Sequence, residues 1–355
     1  MRRALRSCVV AALAAVPGCA SINDVQPREI LDSITEFLGQ SNPSKHVRRL
    51  VALHDTGTFR HDPDLPPTYD ACVEEVRILG GSDYGTWRDV AVSTFFVTRV
   101  AVDDQAALNR GEAVRALVRL GGMVAGAEDP PEGAGAPEKE VSDALQRLRA
   151  IHGPGGVHDP PGPETAGECA ALVHRIGDLR LDDPTGATTS DLRYRLGILR
   201  GFLNILVATG LADEDRSPEA TAAVDRTVIN IAAQAARLSL LAAARSDERA
   251  EVRAAAADAL GAIGAGRAIP GLAAALRTER TAAVRREAVQ SLGVLAGAGE
   301  AEAAGAVPSL LSALEDDDRS VRFNAREALA ALAGKDLGEE RAPWIEWWVR
   351  RGDRR

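Results

Sequence analysis

Three segments near the end of the chain are copies of one pattern. They are Asp247 to Gly261, Glu279 to Gly293 and Asp316 to Ala330. In each copy an acidic residue stands at position 1, Val-Arg at positions 6 and 7, Ala at position 10, a small residue at position 13 and Leu at position 14. The Val-Arg pairs begin at residues 252, 284 and 321, so the periods are 32 and 37 residues. Repeats of this length are typical of stacked supersecondary units, which constrains the fold strongly.

The spacing within each copy predicts a helix with one apolar face. Val at position 6, Ala at 10 and Leu at 14 recur every four residues and therefore lie on the same side. The small residues at positions 10 and 13 let a neighbouring helix approach closely. Pro270 and Pro308 precede the next Val-Arg pair by 14 and 13 residues, which suits the first turn of a preceding helix. We expect each unit to be a helical hairpin that buries its apolar face by stacking on its neighbours.

The charged residues of the copies are predicted to form a ladder. Each acid stands six positions before the arginine of its copy, so the anion lies in the turn and the cation on the second helix. We expect ion pairs and turn caps between neighbouring hairpins; a charged strip that binds a ligand is the alternative. The residues concerned are Asp247, Arg253, Glu279, Arg285, Asp316 and Arg322.

This pattern resembles HEAT repeats, in the subclass related to the phycobilin lyases, and the resemblance covers residues 240–334 well. It implies an all-α, armadillo-like fold, an α-α superhelix, and says little about activity. Upstream, residues 43–48 and 112–121 resemble degenerate copies, the second with Val114-Arg115 in the place of the Val-Arg pair.

The last residues predict a helix that caps the array. Trp344, Trp347 and Trp348 share one helical face, and a repeat array needs an end that covers its last apolar surface. An aromatic hot spot for a partner is the alternative. The ending, with Gly334, Asp336 and Gly338 before the tryptophans, is similar to that of HEAT-containing lipoproteins of planctomycete-type bacteria.

The first nineteen residues are typical of an export signal that ends in a lipid attachment site. A basic start is followed by an apolar run, as in a secretory signal, and the run is far shorter than the ~20 residues that span a bilayer. Val16-Pro17-Gly18-Cys19 resembles the lipobox of bacterial lipoproteins, although Pro17 departs from the usual small residue. The resemblance implies acylation of Cys19, and Ala20 after it favours the outer membrane facing the periplasm. An ordinary signal peptide with a chance cysteine is the alternative.

Composition narrows the class of partner. The formal net charge is −9, which argues against general nucleic-acid binding and against lying broadly on anionic lipid. Aromatic residues make up only 4%, which suits small Ala/Leu-packed helices better than a sheet core. After cleavage Cys72 and Cys169 would remain; they could pair in an oxidising compartment or stay as two buried thiols.

The predicted organisation has six parts. They are a signal peptide (1–18), a lipidated tether with a short helix (19–42), an N-terminal helical region with degenerate hairpins (43–125), a loop-rich linker region (126–189), the repeat solenoid (190–334) and the tryptophan-rich capping helix (335–355).

The candidates for chemistry are sparse. His54-Asp55 and His61-Asp62 resemble the pairs of metal-dependent phosphohydrolases, but the supporting histidine pattern is absent. His152 and His158 bracket a Gly/Pro-rich loop; they could bind adventitious metal at low affinity, but the flexibility expected of such a loop argues against a shaped site. The sequence contains no His-Glu pair, phosphate-binding loop or nucleophile elbow, so we predict no catalytic, metal or cofactor-binding residue and no cofactor.

Three functions are compatible with these features. The first is a non-catalytic, membrane-anchored scaffold in the periplasm that binds an unidentified envelope protein. Its curved face would hold an extended or acidic segment through residues of the second helices, namely Arg253, Arg286, Asn324 and Arg326. The second is a metal-dependent hydrolase that uses the histidine-containing N-terminal half, and the third is a purely structural envelope lipoprotein.

Overall fold

The computed structural model describes residues 71–127 except 86 and 105, residues 143, 192, 193, 195, 196 and 199, and residues 218–352. Every regular element in these residues is a helix, so the prediction of an all-α fold is confirmed. The chain divides into two compact units, residues 1–85 and 86–355, and each is described by itself. The predicted signal peptide, Cys19, Cys169 and the His-Asp pairs lie outside the described residues.

The described part of the first unit is one helix, α1 (Ala71–Gly81). Its buried residues include Cys72, Val76 and Leu79. The Tyr84 hydroxyl donates to the carbonyl oxygen of Leu79 at 2.7 Å, so the chain turns back over the end of the helix.

The second unit is a stack of helical hairpins. The first helices are α2 (Trp87–Asp103), α4 (Pro218–Ser246), α6 (Ile269–Thr278) and α8 (Glu300–Ala313). The second helices are α3 (Ala107–Ala127), α5 (Ala250–Ala262), α7 (Ala282–Ala296) and α9 (Arg319–Ala333). A single-turn 3₁₀ helix (Gly266–Ala268) precedes α6, and α10 (Arg341–Gly352) ends the array. First helices pack on first helices and second helices on second helices, as in a solenoid.

The stack includes a hairpin that lies far upstream of the clear repeats in the sequence. Residues 128–217 separate α3 from α4, yet α2 packs on α4 and α3 packs on α5. The segment 90–102, whose valines and threonines left a strand as an alternative, is part of helix α2. The first hairpin therefore belongs to the same array as the clear repeats.

The apolar positions of the repeat form the core between hairpins. In the helix α7, Val284, Ala288 and Leu292 are at most 3% exposed. The equivalent residues of α5 and α9 are also buried. Positions 6, 10 and 14 therefore form the buried face of each second helix, as the spacing predicted. Burial of a Leu side chain contributes about 1.5–3 kcal/mol.

The two prolines do not occupy equivalent places. Pro270 lies in the first turn of α6, as predicted, but Pro308 lies inside α8, so that part of the prediction is wrong. The alanine-rich segment before Pro308 extends the helix backwards to Glu300. Pro308 and Ala304 are exposed, so water can satisfy the Ala304 carbonyl group that proline leaves without a donor.

Helix α4 is the central helix of the second unit. Residues 225–246 are long and apolar enough to cross a membrane by length and composition, but the most apolar window is entirely buried inside the protein. Residues 227–244 are buried on every side, and α4 contacts α2, α3, α5 and α6. These contacts are those of the core helix of a globular unit.

Candidate interaction surface

A ladder of arginines ties each hairpin to the next. The guanidinium group of Arg253 donates from Nε and Nη2 to the Glu279 carboxylate at 2.8 and 3.0 Å. Arg285 makes the same two-pronged contact with Asp316, at 2.8 Å for both atoms. Such paired, charge-assisted hydrogen bonds fix geometry as well as adding energy. The ladder residues of neighbouring repeats are thus brought together in pairs.

Each arginine also closes the turn of its own hairpin. Nη1 of Arg253 donates to the carbonyl oxygen of Asp247 at 2.8 Å, and Nη1 of Arg285 donates to that of Arg280 at 2.9 Å. The acid side chains complete the turn from the other side, since Glu279 accepts from the backbone N–H of Thr281 at 2.7 Å. The offset of six residues therefore places Nη1 on the turn backbone, while the carboxylate partner comes from the following hairpin.

These contacts shift the pKa values of the ladder in both directions. Burial by itself raises the pKa of Glu279, but hydrogen bonds from Arg253 and Thr281 outweigh it and lower the pKa below the ordinary value. The same balance lowers the pKa of Asp316 beside Arg285. The hydrogen bond to the acid raises the pKa of each arginine. The two pairs Arg253–Glu279 and Arg285–Asp316 are therefore charged throughout the neutral range.

The first rung of the ladder was missed by the sequence analysis. Arg110 of α3 donates to the Asp247 carboxylate at 2.5 and 3.0 Å, and its Nη1 donates to the carbonyl oxygen of Asp104 at 3.0 Å. Asp104 stands six residues before Arg110, so it takes position 1 of this hairpin. The assignment of Val114-Arg115 to the repeat is wrong, because Arg115 is exposed and pairs with Glu112 one turn away. Asn109 at position 6 hid the match, but the acid-to-arginine offset could have found it.

The last arginine has the turn contacts without the carboxylate. Nη1 of Arg322 donates to the carbonyl oxygens of Asp316 and Asp317 at 2.7 and 3.0 Å. Within the described residues, no carboxylate meets Nε or Nη2 of Arg322. The ladder therefore ends at α9 with half of one guanidinium group unused.

Glycines allow the second helices to touch. A Cβ atom on Gly261 would lie 3.0 Å from the Cα of Ser291, and one on Gly293 would lie 2.6 Å from the Cβ of Ala328. Position 15 of one copy thus packs on position 13 of the next. The Ser291 hydroxyl donates to the carbonyl oxygen of Ala257 at 2.8 Å. In the last copy position 15 is Ala330, and no hairpin follows it in the described residues.

The four residues predicted to contact a partner lie in different surroundings. Arg253 belongs to the ladder, and Arg326 pairs with Asp336 and Glu339. Arg286 is exposed and contacts Glu287 beside it at 2.9 Å, while Asn324 is half-buried. The structure therefore does not bring the four together as one basic surface.

The open side of the second helices is acidic between α5 and α9. Positions 5, 9, 12 and 16 of the second helices lie on the side that no other described helix of the array covers. Many of them are alanine, such as Ala262, Ala283 and Ala331. The exposed charged residues at these positions are Glu251, Asp258 and Glu327. Val294 is 59% exposed on the same side. The exposed charges at these positions are carboxylates, opposite in sign to those that would attract an acidic segment.

The tryptophans lie at the end of the array. Trp344 is fully buried, and its Nε1 donates to the carbonyl oxygen of Gly338 at 2.9 Å. Trp347 packs edge-on against Trp344, and the Arg351 guanidinium lies 5.8 Å from the centre of the Trp347 ring. Helix α10 packs on α8, so these side chains cover the first helix of the last hairpin.

Two open grooves lie beside the ladder. One, of about 380 Å³, is lined by Arg110, Asp247, Glu248 and Arg193, with Asp103 and Asp104 at its side. The other, of about 540 Å³, lies between α6 and α8 and includes the Arg285–Asp316 pair. Among the residues described by the structure, no three metal-binding side chains cluster.

Comparison with known proteins identifies the repeat. Residues 206–293 match the family model of HEAT repeats, which covers α4, α5, α6 and most of α7. No curated protein matches the chain. Residues 206–293 are thus similar to HEAT repeats, and the stack of hairpins extends on both sides of the matched segment.

Proposed function

We propose that this HEAT-repeat chain is a non-catalytic scaffold that binds another protein of the cell envelope through its second helices. The observation that supports the proposal is the open side of α3, α5, α7 and α9. The ladder and the glycine contacts hold these helices in fixed register, so positions 5, 9, 12 and 16 form one continuous surface. HEAT repeats generally mediate protein–protein interaction, and such all-helical arrays are typical of scaffolds.

The surface between α5 and α9 favours a partner with basic or neutral side chains. Glu251, Asp258 and Glu327 are exposed there, and alanines between them leave the backbone of a partner room to approach. Electrostatic complementarity of this kind sets specificity and association rate more than affinity.

Site-specific photo-crosslinking tests the scaffold. A photoreactive residue is placed at Asp258 or Gln290, both exposed on the second helices, and at Ala304, exposed on α8, as the matched control. We expect one discrete protein adduct from the first two positions and none from Ala304. Equal labelling at all three positions, or no adduct, would contradict the proposal.

The anchor and the location are part of the same proposal. The basic start, the apolar run and the lipobox-like Val16-Pro17-Gly18-Cys19 support export and acylation of Cys19, and Ala20 supports the outer membrane facing the periplasm. Labelling cells with an alkyne fatty acid tests it. We expect label and membrane association in the wild type and loss of both in Cys19→Ser.

A further inference from the structure

The C-terminal end of the array offers half of a hairpin-binding site. Helix α10 begins at the side of the array where the turns join the two helices of each hairpin; there Arg341 pairs with Glu315 at 2.8 Å. It ends at the opposite edge, where Arg351 pairs with Glu300 and donates to the carbonyl oxygen of Leu332. It thus takes the place beside α8 that the next first helix would take, and runs in the reverse direction. In the described residues, no helix takes the corresponding place beside α9.

The face of α9 that would receive the next second helix is divided into two parts. Positions 11 and 15 lie on this face, because Ala257 and Gly261 of α5 contact Ser291 of the following helix there, and positions 4 and 8 continue it along the helix by period. In α9, Arg326 at position 11 is held by Asp336 and Glu339 of the segment that follows. Phe323 at position 8 borders this face and is 57% exposed, as is Arg286 at the same position of α7 to a smaller extent. The end of α9 nearest the turn is open because no described helix packs beside it.

The guanidinium group of Arg322 lies beside this open part and is already oriented. In Arg110, Arg253 and Arg285, Nη1 sits on the turn carbonyls while Nε and Nη2 hold a carboxylate of the next hairpin. Arg322 has the same Nη1 contacts. Because the guanidinium group is planar and rigid, these contacts direct Nε and Nη2 towards the place of the next acid.

We propose that Arg322 and Phe323 form a docking site for a partner protein that presents an acidic turn followed by an amphipathic helix. The three inner rungs define the occupant, since each carboxylate they hold comes from a turn that leads into a second helix. The aromatic ring of Phe323 supplies an apolar contact for the first turns of that helix. The inference rests on the proposed scaffold function. It adds a second contact at the end of the array, in which Arg322 binds an acidic residue of the partner.

A second copy of the chain does not supply this acid. The equivalent acid at the start of the array is Asp104, which is only 4% exposed and accepts hydrogen bonds from Ala106 and Asn109. Head-to-tail stacking of two arrays would require that carboxylate at the surface. We therefore assign the site to a different protein, and self-association is an outcome that the test must detect.

A peptide taken from the chain itself tests the site. The probe is a fluorescent peptide of residues 279–297, an acidic turn with its second helix, and the control peptide carries Glu279→Gln. Binding to the full chain in detergent is followed by fluorescence anisotropy. A charge-assisted pair predicts that the glutamate peptide binds about ten-fold more tightly than the glutamine peptide.

Variants of the full chain locate the binding. We expect Arg322→Gln and Arg322→Lys to remove the preference for the glutamate peptide, because neither side chain offers the paired donors. Phe323→Ala should weaken the binding of both peptides. Arg280→Gln is the matched control, since Arg280 is exposed in another turn and should leave binding unchanged. Thermal unfolding of each variant identifies any loss of folding, and Phe323→Ala tests the site without touching the turn contacts.

Four results would overturn the inference. They are no binding below about 1 mM, equal binding of the two peptides, unchanged binding in both Arg322 variants, and sedimentation that shows wild-type oligomers abolished by Arg322→Gln. Crosslinking at Asp258 and Gln290 reports separately on the scaffold. An adduct there without peptide binding would refute the docking site alone, whereas peptide binding without an adduct would refute the proposed face.

Discussion

Helices α7 and α9 share the repeat pattern but differ on the side that faces the next hairpin. At positions 11 and 15, α7 has Val289 and Gly293, both covered or in contact with the next hairpin. At the same positions α9 has Arg326 and Ala330. In α7 these positions receive the next hairpin, whereas in α9 a charged residue and a Cβ occupy them. The two helices therefore present different surfaces to whatever follows them.

The largest expected effect separates the inner core from the open end. Leu292→Ala removes a fully buried side chain between hairpins and should cost about 2–5 kcal/mol of the free energy of unfolding. Phe323→Ala removes a side chain that is 57% exposed and should change stability by about 0.5 kcal/mol or less. Urea unfolding measures both. Equal costs would mean that the end of α9 is packed like the interior.

The next effect compares an inner rung with the last one. Arg285→Ala leaves the Asp316 carboxylate, which is 13% exposed, without its partner, and should cost about 1–3 kcal/mol. Arg322→Ala removes two hydrogen bonds to turn carbonyls and strands no carboxylate, so about 1 kcal/mol or less is expected. A larger loss at Arg322 than at Arg285 would show that Arg322 has an acidic partner in the folded chain.

A smaller effect tests the close contact between second helices at Gly293. Gly293→Ala places a Cβ 2.6 Å from that of Ala328, so overpacking should outweigh the gain in helix propensity and cost about 1 kcal/mol. Gly122→Ala is the matched control, since a Cβ there meets nothing within 4 Å, and it should stabilise by up to about 1 kcal/mol. The same sign for both variants would contradict the close approach at position 15.

The repeat pattern predicted the inner part of the array well. Equal spacing fixed which residues of α5, α7 and α9 point inward, because a helical period and an apolar face are local properties. The ladder was also visible as a constant offset between an acid and an arginine. Which acid binds which arginine depends on how neighbouring hairpins pack, however. The pairing of Arg253 with Glu279 could therefore be identified only from the structure.

The ends of the array were harder to predict, because they depend on contacts between distant segments. Arg110 binds Asp247, a residue 137 positions away, and the periods of 32 and 37 residues do not predict that separation. Arg326 reads as a surface residue until Asp336 is seen beside it. The unpaired Nε and Nη2 atoms of Arg322 became visible only in the structure, where the described segment after α9 places no carboxylate beside them.

The smallest effect concerns acid pH and again compares the inside with the end. The pKa of Glu279 is lowered from its ordinary value of 4.5, so its pair with Arg253 stabilises the fold above that pH. This contribution is lost as the pH falls through the lowered value. The destabilisation caused by Glu279→Gln, measured by urea unfolding, should therefore shrink as the pH is lowered from 6 towards the pKa of Glu279.

The end of the array should respond at lower pH. The hydrogen bond from Arg326 holds the pKa of Asp336 at about 2, so this carboxylate stays charged at pH 3. The effect of Asp336→Asn on unfolding should be small, since the pair is exposed to solvent. It should be constant above about pH 5, decrease as the pH falls through 3.8, where the carboxylate of the unfolded chain takes up a proton, and persist in part at pH 3. If the Asp336→Asn effect vanished between pH 6 and pH 3, the contact that closes the end of α9 would be absent in solution. The open part of α9 would then extend as far as position 11.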